Sequence, residues 1–190
     1  MSGPDESVLE LLRTLYAQRS AELRAAFDRS VPFGDLIVDR WERARALGFG
    51  EGASIYDSAL VIGAVTVGER TWIGPQTVLD GSGGLTIGST CSVSAGVQIY
   101  SHDSVAWALS GGRAEYVRAA VTVEDRCYIG PMSVITKGVT VGAGSVVAAN
   151  SVVTTSVAPG SIVGGSPARV LGRVEVSEQG DVTLLYDGSR

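Results

Sequence analysis

The sequence predicts a mainly-β fold in which short strands wind into a three-sided parallel coil behind a helical N-terminal segment. Three observations indicate this fold: a six-residue aliphatic period, a composition rich in glycine and poor in aromatic residues, and an interruption of the period just after the only histidine, His102. The chain has 190 residues, of which 45% are hydrophobic, only 6% are aromatic and 25 are glycine. Such a core must consist of aliphatic and β-branched side chains, which suit a pleated surface with many turns.

The six-residue period occupies residues 53–165. An aliphatic residue begins each unit, and a small or β-branched residue usually stands four positions later. The first residues of the units are Ile55, Val61, Val67, Ile73, Leu79, Ile87, Val93, Ile99, Val123, Ile129, Ile135, Val141, Val147 and Val153. A unit of six residues fits one short strand and a turn, so three units close a triangular coil whose leading residues stack inward in columns. Fourteen units predict four to five coils, which stack to roughly 22 Å at ~4.8 Å per coil.

Two irregularities interrupt the period. At Gly81–Gly84 the phase slips by two residues, which predicts a bulged corner. Between Ile99 and Val123, residues 105–120 lack the pattern, so we expect a loop, bounded by residues 103–121, that is extruded from the coil. The Val123 unit then follows the Ile99 unit directly. In that phase Cys91 and Cys127 occupy the same face of successive coils, where we expect two buried and unreactive thiols.

The coil is assigned to residues 51–165, and both flanking segments leave its pattern. Residues 1–50 predict a helical cap of two helices, interrupted at Pro32, ending at Gly48 and docked by an apolar face. Residues 166–190 contain two short alternating stretches, which predict a C-terminal hairpin or a tail that covers the end of the coil.

Charge and hydropathy narrow the possible partners. The net charge of −5 and the isoelectric point near 4.9 argue against a nucleic-acid partner. No run of 18 apolar residues exists, and the acidic N-terminus lacks a signal-peptide core, so we expect no membrane insertion. Two cysteines do not form a disulfide framework. These features together predict a cytoplasmic protein.

The units, the loop behind the histidine, and the segment from TKGVTVGAGSVVAANSVVT to GGSPARVLGR together resemble the hexapeptide-repeat acyltransferases. The resemblance implies a left-handed parallel β-helix, a homotrimer and acetyl-coenzyme A as the acyl donor, with no metal required. The segment QIYSHDSVAWALSGG is most similar to the branch that acetylates sugars in surface polysaccharide synthesis.

His102 is the candidate catalytic residue. Acyl transfer from a thioester needs a base for the acceptor, and an imidazole titrates near working pH. The resemblance places the catalytic histidine of the family at His102. Its second ring nitrogen needs an orienting partner, for which Asp103, Glu115 or a backbone carbonyl could serve. A cysteine nucleophile is the weaker alternative, because both cysteines occupy predicted corner positions.

The resemblance also implies the binding residues. The expected contacts to coenzyme A are Gly130, Ala148, Ala149 and Thr154, with Arg169 and Arg173 as candidates for its 3′-phosphate and Lys137 as a weaker one. Many relatives carry a lysine where this chain has Thr155, which removes one expected phosphate contact. We expect the acceptor to contact Tyr100, Ser101, Asp103, Trp107, Arg113 and Tyr116, because aromatic rings stack on sugar faces and polar groups bind hydroxyls.

Three functions fit these residues. The first is an acetyltransferase that acts on a sugar hydroxyl, and the second is an N-acetyltransferase that acts on a nucleotide-linked amino sugar. The third is a non-catalytic structural scaffold with the same coil. Relatives with carbonic anhydrase activity need three histidines on zinc, and the single histidine of this chain excludes that chemistry.

Overall fold

The computed structural model describes residues 4–188, so residues 1–3 of the predicted N-terminal segment and 189–190 of the C-terminal one lie outside it. The helices are α1 (Pro4–Phe27), α2 (Phe33–Ile37), α3 (Arg40–Ala46) and α4 (Val105–Leu109). The strands are β1 (Ser54–Ile55), β2 (Leu60–Val67), β3 (Trp72–Ile73), β4 (Val78–Ile87), β5 (Ser92–Val93), β6 (Gln98–Tyr100), β7 (His102–Asp103), β8 (Val117–Arg118), β9 (Val121–Val123), β10 (Tyr128–Ile129), β11 (Val134–Ile135), β12 (Thr140–Val141), β13 (Val146–Val147), β14 (Val152–Val153), β15 (Ser161–Gly165), β16 (Ala168–Val176) and β17 (Val182–Tyr186).

The strands stack in parallel on three faces, which confirms the mainly-β left-handed parallel β-helix. Face one contains β1, β3, β5, β10, β13 and β15. Face two contains the first half of β2, the first half of β4, β6, β11 and β14, and face three contains the second halves of β2 and β4 with β9 and β12. Thirteen of the fourteen leading residues are buried, and only Val61 is partly exposed. The aliphatic columns therefore form the core.

The coil count differs from the sequence prediction, because six parallel strands stack on face one and the β-helix has about six turns rather than four to five. The six-residue period changes after Val153, so the sequence pattern does not predict the last turn. Val157 follows only four positions later and pairs with Val141, and Val163 pairs with Val147. A shortened corner thus completes a coil that six-residue counting does not detect.

The phase slip forms the predicted bulge. Gly63 pairs with Gly81, but Val65 pairs with Leu85, so β4 contains two more residues than β2 at this corner. One coil further on, β6 ends at Tyr100 and the coil resumes with β9. The intervening residues form the short antiparallel pair β7–β8 and the single helix α4. Both irregularities leave the coil at the corner between faces two and three, which we call the Asp80 corner.

The two cysteines lie on successive coils of face one, as expected, because Ser92 pairs with Tyr128. Both thiols are free and buried. The hydrogen bond that the Cys127 thiol donates to Cys91 and the burial of the site raise the pKa of the Cys127 thiol. These properties fit structural residues better than nucleophiles.

The N-terminal helices attach to the first coil mainly through α3. Asp39 caps this helix by accepting the N–H groups of Trp41 and Glu42 at 2.9 and 2.8 Å, and Arg43 donates to the carbonyls of Tyr56 and Ala59. The expectation that the whole segment docks by its apolar face is wrong for the first half of α1. Several apolar side chains are exposed there, namely Val8, Leu9, Leu11 and Leu12.

The C-terminal segment extends face one. Strand β16 pairs antiparallel with β15, and β17 pairs antiparallel with β16, so the last strands form a hairpin beside the final coil. None of the helices within residues 4–188 is long and apolar enough to span a bilayer.

Candidate active site

The central feature of the site is a contact between His102 and Asp80. Asp80 lies in β4 directly before the bulge and pairs in register with Tyr100, two residues before His102. The Nδ1 atom of His102 is 2.5 Å from Oδ2 of Asp80. The carboxylate is fully buried, whereas 30% of the histidine side chain is exposed. The ring therefore joins a buried anion to the surface at the Asp80 corner.

Asp80 is held in its ionised form by donors from both sides. Its Oδ1 accepts the N–H of Ser82 at 2.9 Å and the hydroxyl of Ser82 at 2.5 Å, and its Oδ2 accepts the N–H of Ser101 at 3.0 Å. Burial raises the pKa of Asp80, but these hydrogen bonds and the one to His102 outweigh burial and lower the pKa from 3.8 to about 2. A carboxylate is thus present at every working pH.

The ionised carboxylate determines which ring nitrogen carries the proton. A carboxylate can only accept, so Nδ1 of neutral His102 must be the donor and Nε2 keeps its free electron pair. Nε2 is therefore the basic atom. The orienting partner of the ring is Asp80, and not Asp103, Glu115 or a backbone carbonyl as the sequence suggests. The available signal was a charged residue immediately before the phase slip.

The bulge and the extruded loop meet at Ser101. Its hydroxyl accepts the N–H of Gly83 at 2.7 Å, and its carbonyl accepts the N–H of Ala119 at 2.9 Å. A Cβ at Gly83 would lie 2.4 Å from the carbonyl oxygen of Ser101, so only glycine fits the bulge at this point. Ser101 is fully buried and its hydroxyl is committed. The expectation that it contacts the acceptor is therefore wrong, and its role is to join the two insertions.

The loop brings two aromatic residues to the histidine. The rings of Tyr116 and His102 are stacked with centroids 6.1 Å apart, and Trp107 meets Tyr116 edge-on at 5.8 Å. Trp107 and Tyr116 are 44% and 40% exposed, which leaves both rings accessible beside the base. Tyr100, on β6, donates its hydroxyl to Oε1 of Gln98 at 2.7 Å. Arg113 is exposed further out in the loop.

Asp103 and Lys137 form an ion pair next to His102. One oxygen of Asp103 contacts Nζ of Lys137, and the other accepts the N–H of Val105 at 3.0 Å. The hydrogen bond from Lys137 lowers the pKa of Asp103. Lys137, a weaker candidate for a coenzyme A phosphate by sequence, lies at the Asp80 corner among the acceptor candidates.

The predicted donor contacts lie at two different corners. Gly130 and Ala148 follow β10 and β13 at the corner between faces one and two, which we call the Ala148 corner. A Cβ at Gly130 would lie 2.5 Å from the backbone of Ala149, so this glycine allows the coils to stack. Ala148 is half-buried and Ala149 is exposed. Thr154 is also exposed, but it follows β14 and belongs to the Asp80 corner.

The two arginines proposed for the phosphate are separated along one strand. Arg169 pairs with Gly164. A Cβ atom added at Gly164 would lie 3.0 Å from Cβ of Ala148, so Arg169 lies near the Ala148 corner. Arg173 pairs with Ser161, roughly 13 Å further along β16, and its guanidinium contacts Glu175 at 3.0 Å. Within one chain, the structure therefore places Arg169 near the small residues of the Ala148 corner and Arg173 away from them.

Six-residue coils stacked on three faces, with an interruption behind a surface histidine, define a hexapeptide-repeat β-helix protein. A family model described as the hexapeptide repeat of succinyl-transferase matches residues 64–101 and 120–155. These two segments are therefore similar to the hexapeptide repeats of acyltransferases.

Solved structures and curated relatives extend this similarity. The chain is 29% identical, with a TM-score of 0.62 and 91% and 92% coverage of the two chains, to a hexapeptide-repeat-containing acetyltransferase from Vibrio cholerae complexed with acetyl-coenzyme A. A variant of AntD, an N-acyltransferase from Bacillus cereus in complex with dTDP and coenzyme A, is 26% identical with a TM-score of 0.60 over 66% of this chain and 72% of that one.

The curated relatives match a shorter segment. A 2,3,4,5-tetrahydropyridine-2,6-dicarboxylate N-acetyltransferase from Clostridium perfringens is 42% identical over 65 residues, which cover 34% of this chain and 28% of the relative. The matched segment thus spans under a third of the length of this relative.

Proposed function

We propose that the protein is an acetyltransferase that moves an acetyl group from acetyl-coenzyme A to a sugar hydroxyl, in a surface polysaccharide or a nucleotide-sugar precursor. The observation that carries the proposal is the 2.5 Å contact between Nδ1 of His102 and the fully buried carboxylate of Asp80, which leaves Nε2 as a surface base. The acetyl-coenzyme A and coenzyme A bound to the two similar structures support the choice of donor.

The chemistry at His102 follows from this geometry. Acetyl-coenzyme A supplies the activated acyl carbon when it is bound. Nε2 of His102 takes the proton of the acceptor hydroxyl while the hydroxyl oxygen attacks that carbon, and Asp80 stabilises the resulting imidazolium. His102 then returns the proton to the departing sulfur. The acetyl group thus moves from sulfur to oxygen, and the proton of the hydroxyl ends on the thiol.

The Asp80–His102 pair favours a hydroxyl over an amine. A sugar hydroxyl stays protonated at neutral pH, so its attack needs a base, and the buried carboxylate orients the ring so that Nε2 can serve as that base. An amine reaches its neutral form more readily and depends less on such a pair. Trp107 and Tyr116 provide exposed ring faces for a sugar beside the base, with Tyr100, Asp103 and Arg113 as the polar contacts.

A second candidate acceptor is the amine of a nucleotide-linked amino sugar. It is favoured by the similarity to AntD, an N-acyltransferase crystallised with dTDP. The scaffold alternative leaves the Asp80–His102 pair and the aromatic rings beside it without a purpose.

The donor is assigned to the Ala148 corner and its neighbours. Ala148 and Ala149 present no side chain beyond Cβ, Gly130 keeps the coils close together, and Arg169 provides the phosphate contact. Thr154 contacts the donor from the Asp80 corner. We further propose a homotrimer, because the outer faces of the coil expose apolar side chains such as Leu60, Tyr128 and Met132. We also propose that the protein acts in the cytoplasm, as its sequence predicts. Sedimentation equilibrium measures the assembly, and a monomer would contradict it.

The test measures release of coenzyme A with a thiol reagent against a panel of sugars, nucleotide sugars and nucleotide-linked amino sugars. We expect turnover with a hydroxyl acceptor, and His102→Ala lowers it by about 10² or more because the base is lost. The control is Arg70→Met, which removes an exposed surface cation and keeps full turnover. Near-wild-type rates in His102→Ala would remove the base, acetylation of amines alone would favour the second candidate, and no acceptor at all would favour the scaffold.

A further inference from the structure

Lys137 is the only lysine in the chain. The sequence contains fifteen lysine and arginine residues, and fourteen of them are arginine. The single lysine lies beside the single histidine, because Nζ of Lys137 contacts Oδ2 of Asp103, the residue that follows His102. About a third of each side chain is exposed, so the pair is partly shielded from water.

Lys137 belongs to a different coil from its partner. It lies two residues after Ile135, which pairs with Ile99 on the strand that leads into His102. The next residue, Gly138, donates its N–H to the carbonyl of Ala119 at 3.2 Å, where the extruded loop returns to the coil. The turn at residues 137–138 therefore contacts both the start and the end of the loop.

The charges around His102 show what the ion pair does. Asp80 on β4 contacts Nδ1, Asp103 on β7 is its chain neighbour, and Arg118 on β8 is its register partner, while the uncharged ring of Tyr116 is stacked beside it. Glu115 lies exposed in the loop. Without Lys137, the carboxylate of Asp103 would be a second anion near the ring, and it would compete with Asp80 for the imidazolium.

We propose that Lys137 is a positioning residue for His102, which fixes strand β7 to the neighbouring coil and cancels the charge of Asp103 so that Asp80 alone orients the ring. This role rests on the proposed function for its effect on turnover, but not for its effect on the histidine. A lysine suits it, because its compact ammonium reaches one carboxylate oxygen at the end of a flexible stem.

The single histidine allows a direct test. Its imidazole resonances, measured by NMR in untagged protein, report on His102 alone. We expect Lys137→Met and Asp103→Asn to displace these resonances in opposite directions at one fixed pH, because each variant leaves a charge of opposite sign uncompensated. The double variant, which removes both charges, returns to the wild-type resonance positions.

Turnover provides the second readout. We expect Lys137→Met to lower kcat by about tenfold and to change the acceptor KM by less than about threefold, because the base is displaced while the aromatic contacts to the acceptor stay in place. Lys137→Arg keeps the charge and retains the wild-type resonance positions of His102. Arg70→Met is the matched control and changes neither readout, and circular dichroism checks that every variant is folded.

The outcomes separate the two proposals. Shifts of both single variants in the same direction, or no shift in either, would overturn the electrostatic role, and opposite shifts with unchanged kcat would overturn the positioning role. If the imidazole resonances shift as expected while no acceptor is acetylated, the assignment of Lys137 to His102 stands and the proposed function fails.

Discussion

Replacing Asp80 by asparagine tests the histidine site most directly. The change removes one negative charge and converts one acceptor atom into an NH2 donor, with almost no change in size. If the NH2 group faces His102, it cannot accept the Nδ1 proton, and the ring adopts the tautomer in which Nε2 is protonated. If the NH2 group faces Ser82 instead, it opposes the backbone N–H of Ser82 at 2.9 Å and the Ser82 hydroxyl at 2.5 Å, which both donate to Oδ1 of Asp80 in the wild-type protein. Either orientation breaks one part of the network.

The structure gives the magnitude for stability. Lowering the pKa of Asp80 from 3.8 to about 2 corresponds to about 2 kcal/mol of stabilisation of the folded state. Because the folded-state pKa lies below the unfolded value, this stabilisation is fully present above about pH 4 and is lost as the pH falls towards 2. Asp80→Asn should remove this part of the acid dependence, and the lost hydrogen bonds should lower the free energy of unfolding by about 1–3 kcal/mol at neutral pH.

The assays are urea denaturation between pH 2 and 7 and coenzyme A release at saturating acceptor. We expect Asp80→Asn to lower kcat by about 10²–10⁴, the usual contribution of general base catalysis. Asp125→Asn is the matched control, because that exposed carboxylate also accepts a backbone N–H, at 2.7 Å from Ser89, but lies away from His102. Wild-type turnover in Asp80→Asn, or an unchanged acid dependence of its stability, would refute the reasoning.

Two further variants test the loop and the donor contacts. Deletion of residues 105–120 should leave the β-helix folded by circular dichroism but abolish acceptor acetylation, because Trp107 and Tyr116 are removed while the coil columns continue from Ile99 to Val123; unfolding would show that the loop is part of the core. Arg169→Gln should raise the KM for acetyl-coenzyme A by about tenfold through the loss of one charge-assisted contact. Arg173→Gln should change this KM little. Equal effects of the two variants would contradict the separation of the two arginines along β16.

The core was predictable because each column repeats one local rule. Leading residues such as Ile73, Ile99 and Ile135 are fully buried, and their six-residue spacing alone places them inside. The rule fails where the length of a corner changes. For this reason the six-residue pattern did not predict the inward position of Val157 or the last coil. The exposure of the apolar side chains at the start of α1 was not predicted for another reason. An apolar stripe predicts that a helix face is buried but does not identify the surface that covers it.

The site was only partly predictable, because its contacts join distant parts of the chain. His102 could be identified from its position before the loop. Asp80 is 22 positions earlier, and only the stacking of β4 on β6 places its carboxylate at Nδ1. Ser101 illustrates the opposite error, since it is adjacent to the histidine in sequence but points inward. Strand alternation separates neighbours in the chain, and register joins residues that are far apart.

The extruded segment enters and leaves the coil without disturbing it. Ile99 stacks on Ile135 and Val123 stacks on Ile87, in the places that both would occupy if residues 103–120 were absent, and Val121 belongs to the coil because it is buried and pairs with Leu85. The segment is therefore a graft on a scaffold that is already complete. Asp80 and the donor corner belong to that scaffold, whereas the aromatic rings belong to the graft. Exchanging the graft for one of another length should redirect the enzyme to a different acceptor, while the contact between Asp80 and His102 is inherited unchanged.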